Sequence, residues 1–378
     1  MGSVKQLPTG KYQARVRPPE GGNQVRRTFA LLRDANAWVA TMESGKLKGE
    51  WVNPASGKVT VKEYGEQWRA TLVHRPSSER VYESHLRLHV YPTLGKRPLG
   101  SLRTSELRTW AKGLSAILAP ITVTSITDQF RGLLGAAVAD NLIASNPMDG
   151  VKVARPDKEL VRPLTPEQVG ALLGAIAPRY RGLVAMGAGC GLRISEALAL
   201  GPESVDFLRH KVRVTRQTSK PKGERAMLTS PKTPSSVREV PFSGPVSIEL
   251  AEHLRQYRAT EVELTASPLC PGGRATLYFT TEAGEAYTSN VVGQAMMVAV
   301  KRAGLPAGTT FHDLRHHFAS LLIMSGLSPK AVQVAMGHAT NAETMDTYGH
   351  LFPSEEDRMA GAIERAWVGA PLLGGGQA

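Results

Sequence analysis

The segment "TTFHDLRHHFAS" at residues 309–320 holds side chains that could carry out chemistry. His312 and His316 are four residues apart, so they project from one face of a helix. Such a pair with an acid between its members is typical of the zinc helix of metal hydrolases. The same helix with Arg315 is also typical of a cationic site that holds an anion. The two interpretations place different chemistry in one location.

Charge and helix capping favour the anion. A divalent cation held by the two histidines would lie close to the guanidinium of Arg315. Asp313, three residues after Thr310, completes a capping box and is shorter than the glutamate that zinc hydrolases use as a general base. A helix N-terminus, an imidazole and a guanidinium all attract negative charge. We therefore predict neither a metal nor a cofactor.

The next segment, "SGLSPKAVQVAMGHATNAETMDTYGHL", predicts two short helices with a break between them. Ser328 is the expected N-cap of the first helix, with Pro329 at its first position. Gly337 ends that helix, and His338 lies at the break. The second helix carries Tyr348. The pattern adds an imidazole and a phenol to the cationic helix.

These motifs resemble those of the tyrosine recombinases, also called phage-type integrases. The shared pattern is H-x-x-R, then G-H, then a tyrosine ten residues later. Upstream, "GCGLRISEALAL" is similar to the first arginine motif of the family and "SPKTPSSVREVPF" to its β-hairpin. The resemblance is strong over residues 160–360 and weaker over 61–157. It assigns six catalytic residues, Arg193, Lys232, His312, Arg315, His338 and Tyr348.

The resemblance implies a transesterification at a phosphodiester of duplex DNA. Tyr348 would attack phosphorus and leave a 3′-phosphotyrosine and a 5′-hydroxyl, with no metal or nucleotide. Arg193 and Arg315 would clamp the phosphate oxygens. Lys232, at the tip of the hairpin, would protonate the leaving oxygen. His312 would be the base for Tyr348 or would organise it.

Several assignments keep an alternative. Lys220 and Lys222 lie near Lys232 in sequence, and only a predicted hairpin with its turn at residues 233–236 favours Lys232. Glu196 either orients Arg193 or forms a surface salt bridge with it. The remaining histidines are interpreted as hydrogen-bonded helix residues without a chemical role: His316, His317 and His350.

Composition agrees with a polyanionic partner. The 378 residues carry a net charge of +13. Residues 1–158 hold 24 Lys and Arg against 13 Asp and Glu, whereas residues 159–378 hold 22 against 20. Binding and chemistry are therefore expected in separate regions. The two cysteines, Cys190 and Cys270, exclude a disulfide framework. No segment is apolar enough to span a membrane, and we predict a cytoplasmic protein.

The chain is predicted to be multidomain and mainly α-helical with small β-sheets. Residues 1–60 combine a hairpin over 11–30 with a helix, as in an arm-type DNA-binding domain. One face of that sheet is expected to carry the basic residues Lys11, Arg15, Arg17, Arg26 and Arg27. Residues 61–157 show helical periodicity and resemble a core-binding domain. Residues 158–378 mix α and β elements and form the predicted catalytic domain.

Site-specific recombination is the predicted function. The resemblance implies a homotetramer on double-stranded DNA that exchanges C-terminal segments between neighbours. An accessory directionality factor or a host DNA-bending protein is a further potential partner. Two alternatives are a DNA-binding regulator without chemistry and an enzyme that relaxes supercoils, like the type IB topoisomerases. A metal hydrolase is a third.

Overall fold

The computed structural model describes residues 2–19, 23–47, 56–73, 76–154, 160–220, 225–352, 356, 359–361, 363 and 364. The chain divides into two compact units, Met1–Lys158 and Glu159–Ala378. The polar segment at residues 48–58, whose composition predicts a linker, lies mostly outside the described residues. So does most of the C-terminal segment 354–367, which the resemblance assigns to exchange between subunits.

The N-terminal region is a three-stranded antiparallel sheet with one helix. Its elements are β1 (Ser3–Gln6), β2 (Tyr12–Val16), β3 (Val25–Phe29) and α1 (Leu32–Leu47), with strand order β1-β2-β3. The predicted hairpin and helix are confirmed, and β1 is an addition. Ala14 and Val16 alternate into the interior, where α1 packs against β2. Period-two alternation therefore sets which face of β2 meets the helix.

The strand register corrects the predicted basic face. Arg15 pairs with Arg26, so the two side chains share one face, whereas Arg27 pairs with Ala14. Because Ala14 is buried, Arg27 lies on the inner face, and its guanidinium is 5.3 Å from the Phe29 ring. The prediction that all five basic residues share one face was wrong. Adjacent residues of a strand point to opposite faces, so Arg26 and Arg27 cannot share one.

Residues 61–153 contain helices, as predicted. They are α2 (Val61–Thr71), α3 (Pro76–His85), a π-helical turn at Leu86–Val90, α4 (Tyr91–Leu94), α5 (Thr104–Ser115) and α6 (Pro120–Ala139). Helix α2 begins with a capping box between Thr60 and Glu63. The core of this bundle includes Leu107, Ile126 and Phe130, which are fully buried. Apolar side chains at helical spacing thus pack against one another.

The second unit contains most of the helices that position the site. They are α7 (Pro166–Ala175), α8 (Pro178–Cys190), α9 (Ile194–Ala197), α10 (Gly244–Gln256), α11 (Ser289–Arg302), α12 (Phe311–Met324), α13 (Pro329–Met336) and α14 (Asn341–Tyr348). Helix α8 lies in the core and packs against α10 and α12. Cys190, at the end of α8, is buried. Within the described ranges, none of the helices is long and apolar enough to cross a membrane.

In the described part of this unit, three small antiparallel sheets accompany these helices. One joins β4 (Val205–Asp206), β5 (Lys211–Val214) and β8 (Arg238–Pro241). The second pairs β6 (Gln217–Ser219) with β7 (Met227–Thr229), and the third pairs β9 (Thr260–Glu263) with β10 (Arg274–Leu277).

The hairpin predicted around Lys232 was wrong. Strand β7 pairs with β6 and β8 pairs with β5, so the two strands on either side of Lys232 belong to different sheets. Val240 of β8 packs with Val212 in the main core, whereas Leu228 of β7 joins a separate apolar cluster. Alternation predicts that a segment is a strand, but burial on distant partners decides which strand it pairs with.

Candidate active site

Helix α12 begins where the capping box predicts. The Thr310 side chain accepts a hydrogen bond from the His312 N–H at 3.2 Å, and Asp313 Oδ2 accepts one from the Thr310 N–H at 2.7 Å. The helix starts at Phe311, and His312 and Arg315 follow in its first turns. Local capping therefore fixes the position of two predicted site residues.

Arg315 is buried, with only 2% of its surface exposed. Its Nη1 donates to the carbonyl of Gly191 at 2.5 Å, and its Nη2 donates to the carbonyl of Met336. Gly191 ends α8 in a left-handed conformation with φ of 61°, and Met336 ends α13. Burial and the Arg193 guanidinium lower the pKa of Arg315 to about 9, which leaves it cationic at neutral pH. One guanidinium thus joins the ends of two other helices.

Arg193 is held by Glu196. The carboxylate accepts from the Arg193 N–H at 3.0 Å and from Arg193 Nη1 at 2.9 Å. Because only 2% of the Glu196 surface is exposed, the interpretation as a surface salt bridge was wrong, and the carboxylate orients Arg193 from the interior. Arg193 itself is about one-third exposed.

Arg238 is a part of this network that the sequence analysis missed. Its Nη2 donates to Glu196 Oε2 at 3.0 Å, and its Nε donates to the carbonyl of Ala335 at 2.9 Å. Burial alone would raise the pKa of Glu196, but the charges of Arg238 and Arg193 outweigh it and lower that pKa. The signal in the sequence was the alternation of β8, because Arg238 is in phase with buried Val240.

His338 lies directly after the end of α13, as predicted. Gly337 ends that helix at φ of 64°. The buried ring of His338 forms a hydrogen bond of 2.9 Å between its Nδ1 and Thr344 Oγ1, and it stacks on the Tyr348 ring with centroids 6.2 Å apart. Burial and the Arg315 charge lower the pKa of His338, which is therefore neutral at neutral pH.

Tyr348 is the last residue of α14 and is only 1% exposed. Its hydroxyl forms a hydrogen bond of 2.8 Å with Nδ1 of His316. Burial raises the pKa of Tyr348 to about 12, although the charges of Arg315 and Arg193 oppose the rise. His316 was interpreted as a hydrogen-bonded helix residue, which is correct, but its partner is the predicted nucleophile.

The other two histidines bond to backbone carbonyls, as expected of helix residues without a chemical role. His317 Nδ1 lies 2.6 Å from the carbonyl of Leu164, and His350 Nε2 lies 2.9 Å from that of Val161. Both contacts tie the segment before α7 to the region of the site.

Arg193, Lys232 and His312 meet in one cleft with a volume of about 400 Å³. Gly337 and Ala339, the neighbours of His338, line the same cleft. The alternative Lys220 lines a different cleft, and Lys222 lies outside the described residues. Lys232 is exposed, whereas Arg315, His338 and Tyr348 are buried. The six predicted residues thus divide into three that line the cleft and three in the interior.

Two of the side chains that the zinc interpretation would use have other partners. His316 Nδ1 bonds Tyr348, and Asp313 caps its own helix. Throughout the part of the chain that the structure describes, no group of three or more His, Cys, Asp or Glu is arranged to hold a metal ion. The cationic interpretation of α12 accords with these contacts.

Comparisons with known proteins identify the family. Residues 162–355 match the phage integrase family. The integrase of Mycobacterium phage D29 is 26% identical over 350 residues, which cover 90% of each chain. A solved structure of the Tn1549 transposon integrase with transposon right end DNA is 26% identical, with a TM-score of 0.69, and covers 81% of this chain and 99% of that one. A lambda integrase tetramer bound to a Holliday junction shares the fold at 17% identity, with a TM-score of 0.58 and coverage of 90% and 96%.

The family match extends over the unit that holds α12, the cleft and the buried tyrosine. The alignments with the phage D29 and Tn1549 integrases also cover most of this chain and most of each relative. The chain therefore belongs to the phage integrase family and is a site-specific tyrosine recombinase for the integration of a phage or mobile element.

Proposed function

We propose that Tyr348 is the nucleophile with which this recombinase cuts and rejoins duplex DNA. Its hydroxyl would attack a phosphodiester and leave a 3′-phosphotyrosine and a free 5′-hydroxyl. The observation that carries this proposal is the cleft where Arg193, Lys232 and His312 meet, next to the helix that holds Arg315 and contacts Tyr348. Because the bond energy stays in the covalent link, rejoining needs no nucleotide.

Arg193 and Arg315 act as the phosphate clamp in this proposal. Guanidinium groups match phosphate oxygens, and donors fixed in advance stabilise the charge that develops in the transition state. Glu196 holds Arg193 by two hydrogen bonds, and two backbone carbonyls hold Arg315. Both groups are therefore oriented before DNA arrives, which is what electrostatic catalysis requires.

Lys232 is the proposed general acid. Its ammonium would protonate the 5′-oxygen as the P–O bond breaks. It lines the cleft with Arg193, although it lies in a connection between two sheets and not at a hairpin tip. His338 would donate to a phosphate oxygen. His312, whose ring lies 4.7 Å from that of His316, would organise the imidazole that meets Tyr348.

The proposed partner is double-stranded DNA carrying an attachment site. The outer face of the N-terminal sheet, with Arg15 and Arg26, provides an additional basic surface for the phosphate backbone. Assembly as a homotetramer on two sites, as the family resemblance implies, would allow paired strand exchange. The recombinase would also act with a directionality factor or a host DNA-bending protein. Its proposed location is the cytoplasm.

Substitution of the nucleophile tests the proposal. The Tyr348→Phe variant should bind attachment-site DNA but form no covalent adduct with a nicked suicide substrate, because it lacks the attacking oxygen. The measurement is a denaturing gel that resolves protein linked to labelled DNA. Tyr287→Phe is the matched control, since Tyr287 is another buried tyrosine of the same unit and should leave the adduct in place. A stable adduct with Tyr348→Phe would overturn the assignment.

The same substrates separate the alternatives. A regulator without chemistry would bind DNA and give no adduct with the wild-type protein. A topoisomerase-like enzyme would relax any supercoiled plasmid, whereas a recombinase should require its attachment site. We expect wild-type protein to cleave DNA that carries the flanking repeated core of its own element and to leave scrambled DNA of the same length intact.

A further inference from the structure

The side chain of His316 forms a hydrogen bond with the hydroxyl of the proposed nucleophile, Tyr348. Tyr348 Oη and His316 Nδ1 lie 2.8 Å apart, and the two ring centroids are 5.6 Å apart at an angle of 67°. In the tautomer that carries its proton on Nε2, Nδ1 accepts the hydroxyl proton. A base within 2.6–3.2 Å of the proton it abstracts meets the first geometric requirement of general base catalysis.

We propose that His316, and not His312, is the general base that deprotonates Tyr348; this inference rests on the proposed function of Tyr348 as nucleophile. The Tyr348 O–H bond breaks and the proton moves to His316 Nδ1, which becomes an imidazolium. The electron pair on Oη forms the bond to phosphorus. The bond from phosphorus to the 5′-oxygen breaks, and that oxygen keeps the electron pair and takes a proton from Lys232. In the rejoining step, the 5′-hydroxyl gives its proton back to Lys232 and bonds to phosphorus, the bond from phosphorus to Tyr348 Oη breaks, and His316 returns its proton to Oη.

The position of His316 suits this role. His312 and His316 are edge-on to each other, with centroids 4.7 Å apart and an interplanar angle of 88°. His312 lines the cleft, so the imidazole that His316 contacts is one of the groups around the space where the phosphate would bind. His312 in turn fixes one side of the base, which accords with an organising role.

The charges around the pair agree with proton transfer during the reaction and not before it. Burial and the neighbouring His312 lower the pKa of His316 to about 4, so the ring is neutral and its lone pair is free to accept. Arg315 also disfavours the imidazolium, while Asp313 favours it. The pKa of Tyr348 is near 12, which keeps the phenol protonated at rest. A bound phosphate adds a negative charge that stabilises the imidazolium.

A substitution can separate proton transfer from simple holding of the hydroxyl. In His316→Asn, the side-chain amide oxygen replaces Nδ1 as a hydrogen-bond acceptor but cannot take a proton. A general base contributes about 10²-fold to 10⁴-fold, so we expect single-turnover cleavage to slow by at least about 10²-fold. DNA binding, followed by gel shift, should stay unchanged. His350→Asn, in which an exposed histidine outside the cleft is altered, should cleave at the wild-type rate.

A substrate with sulfur in place of the bridging 5′-oxygen distinguishes the base from the acid. A thiolate leaves without protonation, so this substrate should restore cleavage by Lys232→Ala. It should not restore cleavage by His316→Asn, because the defect lies in the nucleophile. Raising the pH should instead accelerate the His316→Asn reaction, as the phenol ionises without help.

The outcomes separate the two proposals. If His316→Asn cleaves as fast as wild type, or faster, His316 only holds or restrains the hydroxyl and the inference fails. Rescue of His316→Asn by the sulfur substrate would also overturn it. If the wild-type protein forms no adduct at all, the proposed role of Tyr348 fails first.

Discussion

The six predicted catalytic residues occupy two different environments. Arg193, Lys232 and His312 line the cleft, and we call them the cleft side. Arg315, His338 and Tyr348 are buried at 2%, 6% and 1% exposure, and together with Arg238 and Glu196 they form the buried side. On the cleft side, the residues are those that we propose contact DNA. On the buried side, the groups that would do chemistry also hold the fold together.

The comparison shows that residues of the buried side contribute both to the proposed chemistry and to the stability of the fold. Arg315 and Arg238 both donate to carbonyls at the end of α13, which precedes His338. A change in either arginine therefore disturbs the fold as well as the site. Changes on the cleft side should affect rates without affecting stability, because exposed side chains contribute little to folding.

Removal of Arg238 should produce the largest loss of stability. Arg238→Met leaves the buried carboxylate of Glu196 with Arg193 as its remaining cationic partner. Breaking one partner of a buried ion pair costs about 3–5 kcal/mol, and we expect about 3 kcal/mol because Arg193 remains. Urea denaturation measures the free energy of unfolding. Arg213→Met, in which an exposed arginine of β5 loses its contact with Glu239, is the matched control and should cause no measurable change.

The Arg238→Met variant also tests whether the contact between Arg238 and Glu196 helps to position Arg193. Single-turnover cleavage by folded Arg238→Met protein, at a temperature well below its unfolding midpoint, should still be slower than wild type, since Glu196 orients Arg193. Wild-type stability in Arg238→Met would show that the buried side is not held by this ion pair.

Acidification should produce the next largest effect, again on the buried side. The folded protein lowers the pKa of His316 to about 4 from its usual 6.5, and it also lowers the pKa of His338. Between these values the unfolded chain binds more protons than the folded one. The free energy of unfolding should therefore be highest above about pH 6.5 with respect to these two histidines, and it should fall as the pH drops towards about 4.

Denaturation at a series of pH values between about 6.5 and 5 measures this slope. That range lies above the usual pKa of Glu196, whose own shift matters only in stronger acid. His338→Asn should show a shallower slope than wild type, because one of the titrating groups is gone. A wild-type protein whose stability is constant over this range would contradict the lowered pKa values of His316 and His338.

The sequence predicted best what local chemistry decides. The capping box of Thr310 and Asp313, the Pro329 start and Gly337 end of α13, and the helix that carries Tyr348 are all confirmed. In each case the residues that set the element lie within a few positions of it. The positions of His312 and His338 follow from these signals without knowledge of the rest of the chain.

Contacts between residues that are far apart in the sequence could not be predicted from it. The hairpin around Lys232 was wrong because β8 pairs with β5, and its partner was decided by burial of Val240 in the main core. Arg238 and the contact between His316 and Tyr348 were missed, since they join segments that are 42 and 32 residues apart. Periodicity shows that a side chain points inwards, but it does not show which charged group or hydroxyl the side chain contacts.

Lys232 provides the smallest expected change in stability and so the sharpest contrast with Arg238. Its side chain is exposed, and Lys232→Ala should leave the free energy of unfolding unchanged within error. Loss of a general acid should nevertheless slow single-turnover cleavage by about 10²-fold or more. Lys220→Ala is the matched control, because Lys220 lines another cleft and should cleave at the wild-type rate. If Lys220→Ala were the slow variant, the cleft side would need a different acid. If instead Lys232→Ala unfolded as readily as Arg238→Met, the distinction between the two sides would not hold, since a residue of the cleft side would then be part of what stabilises the fold.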